Sequence, residues 1–226
     1  MAAIKIAPSF LTADLSRLGE EVRAVEAAGA DYLHLDVMDG RFVPPITFGA
    51  GVVEAVRKLT RLPLDVHLMV EQPERHLEAF AQAGSDILNV HVEACHDLRQ
   101  ILQQIKALGR RAGVCLNPDT PISAIGEVLG EADQIMVMGV NPGWGGQALI
   151  PSTVPKVRTL RALLDERGLS PDIEIDGGVK VGNVAACAEA GARVLVAGSA
   201  LFNDKASVAE NMAALRQALA GAEARA

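Results

Sequence analysis

The stretch Leu15–Asp36, LSRLGEEVRAVEAAGADYLHLD, decides the fold. Leu15, Leu18, Val22 and Val25 recur at the spacing of one helix face. Ala28-Gly29-Ala30-Asp31 then stops the helix and leads into a strand-like run, Tyr32 to Asp36. Near-copies of that turn stand at Ala83-Gly84-Ser85-Asp86 and Ala190-Gly191-Ala192-Arg193, so helix, turn and strand form a repeating unit. Working outward, strands are predicted near Ile4 to Ala7, Tyr32 to Asp36, Leu64 to Leu68, Ile87 to His91, Ala112 to Leu116, Gln134 to Met138, Asp172 to Asp176 and Val194 to Ala197. Each is followed by a helix-like segment. Eight pairs with no low-complexity linker and no break in composition predict an α/β chain folded as a single (β/α)8 barrel over residues 1–226, rather than an open doubly wound sheet.

Bulk properties narrow the function. A chain of 226 residues, half of them hydrophobic, can bury a large core. Its net charge is −7 and its lysines and arginines are scattered singly, so no basic stripe exists to attract nucleic acid. Cys95, Cys115 and Cys187 are odd in number, show no C-x-x-C spacing and are expected to be inert thiols in a reducing compartment. The start, Met1 to Ile6, lacks the pattern of a signal peptide. The longest uncharged stretch, Gln134 to Pro155, is broken by Gly139, Pro142, Gly143, Gly145, Gly146 and Pro151, so no membrane span is expected. A cytoplasmic location is the resulting expectation.

Chemistry concentrates at the strand ends. Side chains alternate faces along a strand, so His34, Asp36 and Met38 share one side, as do His67 and Met69, and Asp176 closes the seventh strand. Two imidazoles and two carboxylates converging there predict one divalent ion, with zinc, iron, manganese and cobalt all suited to the donors. A single histidine at a strand end is by itself better read as a packed core residue. Several such polar groups facing an apolar interior would cost about 1–3 kcal/mol apiece if unpaired, and a shared cation satisfies all of them. His76 and His96 are read as solvated; His91, two residues before Glu93, is read as packing and left outside the site. Met38, Met69 and Met138 end their strands on the inward parity and suggest a polarisable, apolar lid over a charged intermediate.

Three glycine-bearing loops follow the last three strands: Asn141-Pro142-Gly143-Trp144-Gly145-Gly146-Gln147, Asp176-Gly177-Gly178-Val179 and Ala197-Gly198-Ser199-Ala200. Glycine lets backbone N–H groups approach an anion closely, and a short helix is predicted after the last loop, so a phosphate ester is expected between them. Trp144 is expected either to pack its loop down or to close over the substrate.

These residues closely resemble the ribulose-phosphate 3-epimerase family. The match runs through Ile6-Ala7-Pro8-Ser9, Leu35-Asp36-Val37-Met38-Asp39-Gly40, Asp65-Val66-His67-Leu68-Met69, Asn117-Pro118, Asn141 to Gln147, Asp176-Gly177-Gly178 and Gly198-Ser199. The resemblance implies a TIM barrel of the ribulose-phosphate-binding type, with a sugar phosphate and further copies of the chain as partners. It implies His34, Asp36, His67 and Asp176 as metal ligands, with Asp36 and Asp176 as the opposed proton acceptor and donor. It further implies that Ser9 and His67 touch substrate, that Gly143, Trp144, Gly145, Gly146, Gly177, Gly178, Gly198 and Ser199 surround it and its phosphate, and that Met38, Met69 and Met138 cap the enediolate. The implied reaction interconverts D-ribulose 5-phosphate and D-xylulose 5-phosphate. The chain departs from the family's common residues at Pro45, Trp144 and Gly139.

Rival readings are a hexulose-phosphate epimerase acting on allulose 6-phosphate, a sugar-phosphate lyase or decarboxylase, and a noncatalytic sugar-phosphate sensor. Related decarboxylases carry Asp-x-Lys-x-x-Asp at the third strand. Here that register reads Asp65-Val66-His67-Leu68-Met69-Val70, which lacks the lysine and the second aspartate.

Overall fold

The computed structural model describes residues 3–223. Among them are eight strands: β1 (Lys5–Pro8), β2 (Leu33–Met38), β3 (Leu64–Met69), β4 (Ile87–His91), β5 (Arg111–Leu116), β6 (Gln134–Met138), β7 (Asp172–Asp176) and β8 (Val194–Ala197). They pair in parallel in the order β1-β8-β7-β6-β5-β4-β3-β2. The cylinder closes between β1 and β2 through an isolated parallel bridge from Ser9 to His34 and through the Asp31 N–H, which donates to the Ile6 carbonyl at 3.0 Å. The chain is therefore a (β/α)8 barrel, and every predicted strand is present.

Among the described residues, seven α-helices cover the outside: α1 (Leu18–Ala27), α2 (Ala50–Arg57), α3 (Leu77–Gln82), α4 (Leu98–Ala107), α5 (Thr153–Glu166), α6 (Val184–Glu189) and α7 (Val208–Glu223). In α4 the Asp97 carboxylate caps the Gln100 N–H, and Ile101, Leu102 and Ile105 bury one face against the barrel. Two helical expectations need correction. The unit after β5 carries only a 3-10 helix, Ile122–Ile125, because Pro121 opens it and Gly126 ends it before an α-turn can propagate. Leu15 lies in a separate 3-10 turn, Leu15–Arg17, and is 52% exposed, so the buried stripe begins at Val22 rather than at Leu15.

The barrel interior is polar at its lower and middle levels. At its lower end Asp172 pairs with Lys5 at 2.8 Å and Arg111 at 3.1 Å, while Arg111 also donates to the Tyr32 hydroxyl at 3.0 Å. Above them Asp65, Asn89, Gln134 and Glu174 are fully buried and hydrogen-bonded to one another. Gly113 opposes Asn89 in the β4–β5 register and leaves the space that the Asn89 amide fills. Leucine, isoleucine and valine of opposite parity point outward and form the main core against the helices. Among the described residues, no helix is long and apolar enough to cross a membrane.

Candidate active site

The β2–β3 register sets His34 opposite Asp65 and Asp36 opposite His67. His34 Nδ1 lies 2.6 Å from Asp65 Oδ2, and Asp65 Oδ1 accepts from Asn89 at 2.7 Å and Gln134 at 3.0 Å. Burial acts to raise the pKa of Asp65, but His34, Glu174 and Asn89 outweigh it and hold it below the ordinary carboxylate value; buried Glu174 beside it is pushed the other way, by burial and by Asp65. Asp65 therefore fixes the His34 ring with Nδ1 as donor. That leaves His34 Nε2 free, and this buried nitrogen has no hydrogen-bond partner among the described residues.

His34 Nε2 faces Asp36 Oδ1 at 3.3 Å and Asp176 Oδ2 at 3.9 Å. His67 Nδ1 faces the same two atoms at 3.1 Å and 3.5 Å. In a tetrahedral site with ligands about 2.0–2.1 Å from the ion, neighbouring donors stand about 3.3 Å apart. The four buried donors, two nitrogens and two oxygens around one point, thus match a divalent cation in spacing and in chemistry. Burial disfavours a charged His67, yet the Asp176 and Asp36 carboxylates prevail and push its pKa to about 10. Asp36, despite burial, is held well below the usual carboxylate range by His34 and His67. Protons on these imidazoles and a divalent ion compete for the same nitrogens.

Above the four donors opens a cleft lined by Ser9, Asp36, Met38, Met69, Met138, Asp176 and the three glycine loops. Ser9 Oγ donates to Asp36 Oδ2 at 2.6 Å, so this serine orients a carboxylate as well as facing the cleft. Met38, Met69 and Met138 are at most 2% exposed and form its apolar wall. Gly143, Trp144, Gly145, Gly146, Gly177, Gly178, Gly198 and Ser199 all border it, whereas His34 and His67 lie beneath its floor. Gly177 and Gly178 take φ of 107° and 72°, and a side chain on Gly178 would collide with the Leu149 backbone.

Trp144 is 61% exposed at the rim and does not pack its loop down. The loop is tied to itself by the Gln147 side-chain amide, which donates to the Asn141 and Trp144 carbonyls at 2.8 Å and 2.9 Å. Gly139 packs against the Gly177 carbonyl and Leu149, a fit with no room for a β-carbon. The expected short helix after β8 is a single turn, in which the Leu201 and Phe202 N–H groups bond the Gly198 carbonyl. Gly198 and Ser199 border the cleft without a helix dipole behind them.

His91, read from the sequence as packing, touches the site. Its Nε2 lies 2.8 Å from His67 Nε2. Asp65, Asn89, Gln134 and Glu174 were also outside the sequence reading, although Asp65 shares the parity of His67, Asn89 that of His91, Gln134 that of Met138 and Glu174 that of Asp176. Parity alone could have placed them in the barrel. His76 and His96 are exposed, as read. Cys115 and Cys187 are buried and Cys95 is half-buried, all three are free thiols, and burial pushes Cys95 up to about 12 and Cys187 to about 11.

Comparison with known proteins gives this geometry its lineage. A model described as the ribulose-phosphate 3 epimerase family matches residues 5–202. The ribulose-phosphate 3-epimerase of Synechocystis sp. is 56% identical over 202 residues, covering 88% of each protein. That of Bacillus subtilis is 52% identical over 88% of this chain and 92% of its own, and that of Escherichia coli K12 is 47% identical over 88% of each. More distant solved structures share the fold alone. KGPDC from Streptococcus mutans superposes with a TM-score of 0.74 at 15% identity, over 96% of this chain and 98% of that one. 3-Hexulose-6-phosphate synthase superposes with a TM-score of 0.71 at 20% identity, over 96% and 100%. By its sequence across most of its length, this chain is an enzyme of the ribulose-phosphate 3-epimerase family.

Proposed function

We propose that the chain is a metal-dependent epimerase that interconverts D-ribulose 5-phosphate and D-xylulose 5-phosphate by proton transfer at C3. One observation carries this reading: Asp36 and Asp176, from strands separated by β1 and β8, border one cleft and converge on the same two imidazoles. Inverting a carbon beside a ketone needs a base on one face and an acid on the other. Two carboxylates that reach a substrate from different strands fill those roles, Asp36 accepting the proton in one direction and Asp176 returning one.

His34, Asp36, His67 and Asp176 would hold one divalent ion, of zinc, iron, manganese or cobalt. Bound there, it supplies Lewis-acid stabilisation of negative charge on the substrate oxygens and tunes both carboxylates. Ser9 holds Asp36 in place through its hydroxyl. Met38, Met69 and Met138 keep water from the enediolate with atoms that cannot donate a competing proton. The glycine loops after β6, β7 and β8 seat the phosphate through backbone N–H groups, since none of the residues lining the cleft is a lysine or arginine.

The test is turnover of D-ribulose 5-phosphate in D2O. The expected product is D-xylulose 5-phosphate carrying deuterium at C3; absence of product, or product without solvent deuterium, overturns the reading. Asp176→Asn is expected to lower kcat about 100- to 10,000-fold while the variant still binds the phosphate ester. Wild-type turnover in that variant would remove Asp176 from the proton transfer.

A further inference from the structure

Behind His67 runs a second line of side chains that the proposed chemistry does not use. Glu93, in the 3-10 turn Val92–Ala94 after β4, places Oε2 3.1 Å from His91 Nδ1. His91 Nε2 in turn lies 2.8 Å from His67 Nε2, a hydrogen-bond spacing. The two rings have centroids 5.0 Å apart and an interplanar angle of 23°, so they lie nearly coplanar and meet edge to edge. His91 is fully buried, and the Glu93 side chain is 23% exposed.

Once a divalent ion takes the place of the proton that Asp36 and Asp176 draw onto His67 Nδ1, hydrogen-bond polarity along this line has one consistent solution. Glu93 is fastened from its other side by the Asn117 N–H at 2.8 Å and by the Thr120 hydroxyl. Lys156 ties down the same loop by donating to the carbonyls of Asn117, Pro118 and Thr120. A carboxylate with donors on every side only accepts, so His91 Nδ1 carries the proton. With its proton on Nδ1, His91 presents Nε2 as the acceptor, and His67 Nε2 is the donor. With the ion bound, His67 Nδ1 then directs its lone pair at the point between Asp36 and Asp176.

We infer that Glu93 and His91 are positioning residues that fix the tautomer and ring orientation of His67, so that Nδ1 is the atom offered to the divalent ion. His34 presents the opposite nitrogen, Nε2, because Asp65 acts on it directly. The two imidazoles are thus set from behind in complementary ways, one by a carboxylate and the other by a carboxylate acting through a second imidazole. The Asn117-Pro118 segment, which the cleft does not use, finds its role here as the clamp on Glu93. This inference rests on the proposed metal site.

The experiment uses chelator-stripped protein titrated with Co2+, reading affinity by competition with a chromophoric chelator and coordination by the visible absorption of the bound ion. Thermal melts accompany each variant. The expected wild-type result is one Co2+ per chain. Glu93→Gln keeps the size of the side chain but can donate to His91 Nδ1, which reverses the polarity of the line. It is expected to weaken Co2+ binding about 10- to 100-fold and to alter the absorption bands. His91→Leu is expected to do the same, while His91→Gln, whose amide oxygen can accept from His67 Nε2, recovers most of the affinity. Wild-type Co2+ affinity and spectrum in both Glu93→Gln and His91→Leu overturn the inference and leave the metal site standing. Equal losses in His91→Leu and His91→Gln also overturn it, since they mark a packing role. Failure of the wild type to bind Co2+ removes the metal site and the inference together.

Discussion

Asp36 has two oxygens and three neighbours to serve. Oδ2 accepts from Ser9 at 2.6 Å, and Oδ1 lies 3.3 Å from His34 Nε2 and 3.1 Å from His67 Nδ1. A hydrogen bond to a charged group contributes about 1.5–3 kcal/mol. Ser9→Ala is therefore expected to lower kcat/KM about tenfold or more and to lower the melting temperature by several degrees, and steady-state kinetics beside a melt checks both. Glu93 makes a stability prediction with a definite sign. Despite burial, His91 and Thr120 hold its pKa at about 2, below an ordinary 4.5. A depressed carboxyl stabilises the folded state fully above about pH 4.5 and loses that contribution as pH falls toward 2. The stability gap between wild type and Glu93→Gln should narrow across that window in urea titrations; a constant gap would contradict it. At this scale the sequence was most informative where a single strand carried the signal, as for His34, Asp36, His67 and Asp176. It was least informative for His91, because whether its ring reaches His67 depends on the β3–β4 register, which sets His67 beside Asn89 and leaves His91 one inward position further up.

Strands were legible nearly to the residue because alternation and β-branched runs mark them directly, whereas the helices were legible only where no breaker intervened. After β5, Pro118, Pro121 and Gly126 leave too little uninterrupted chain for α-helix nucleation, and the apolar residues Ile122 and Ile125 pack from a 3-10 turn instead. β5 also carries the tightest packing constraint inside the barrel. A β-carbon on Gly113 would strike the Asn89 side chain, which bonds Asp65, which in turn orients His34. Gly113→Ala is expected to cost about 1–3 kcal/mol by overpacking. The readout is a lower urea midpoint with unchanged slope. Gly178→Ala, at φ of 72° and against Leu149, is expected to disturb the β7 loop instead and to raise KM for the phosphate ester. A KM equal to that of wild type would show that this loop does not seat the phosphate.

For the molecule as a whole, charge and cleft pull in opposite directions. The chain carries a net charge of −7, yet the cleft that would receive a phosphate dianion is lined by no basic side chain. Long-range repulsion should slow encounter, and salt should relieve it as the screening length falls from about 30 Å at 0.01 M to about 8 Å at 0.15 M. Rising kcat/KM over that range is the expected outcome; a steady fall would show that local attraction dominates. The barrel was legible from its eight repeating units, but its closure was not, because no local pattern says how the first and last strands meet. The cylinder is joined sparingly between β1 and β2, at the Ser9–His34 bridge and the hydrogen bonds between Ile6 and Asp31. Every other adjoining pair of strands is held by a ladder of at least three rungs, so this seam is where the cylinder would part first under thermal fluctuation. Ser9 and His34 are also the residues whose side chains reach Asp36 from either strand. A bound substrate would therefore act as a stitch across the opening, and slow amide exchange at that seam would report occupancy more sensitively than any change in the barrel's far wall.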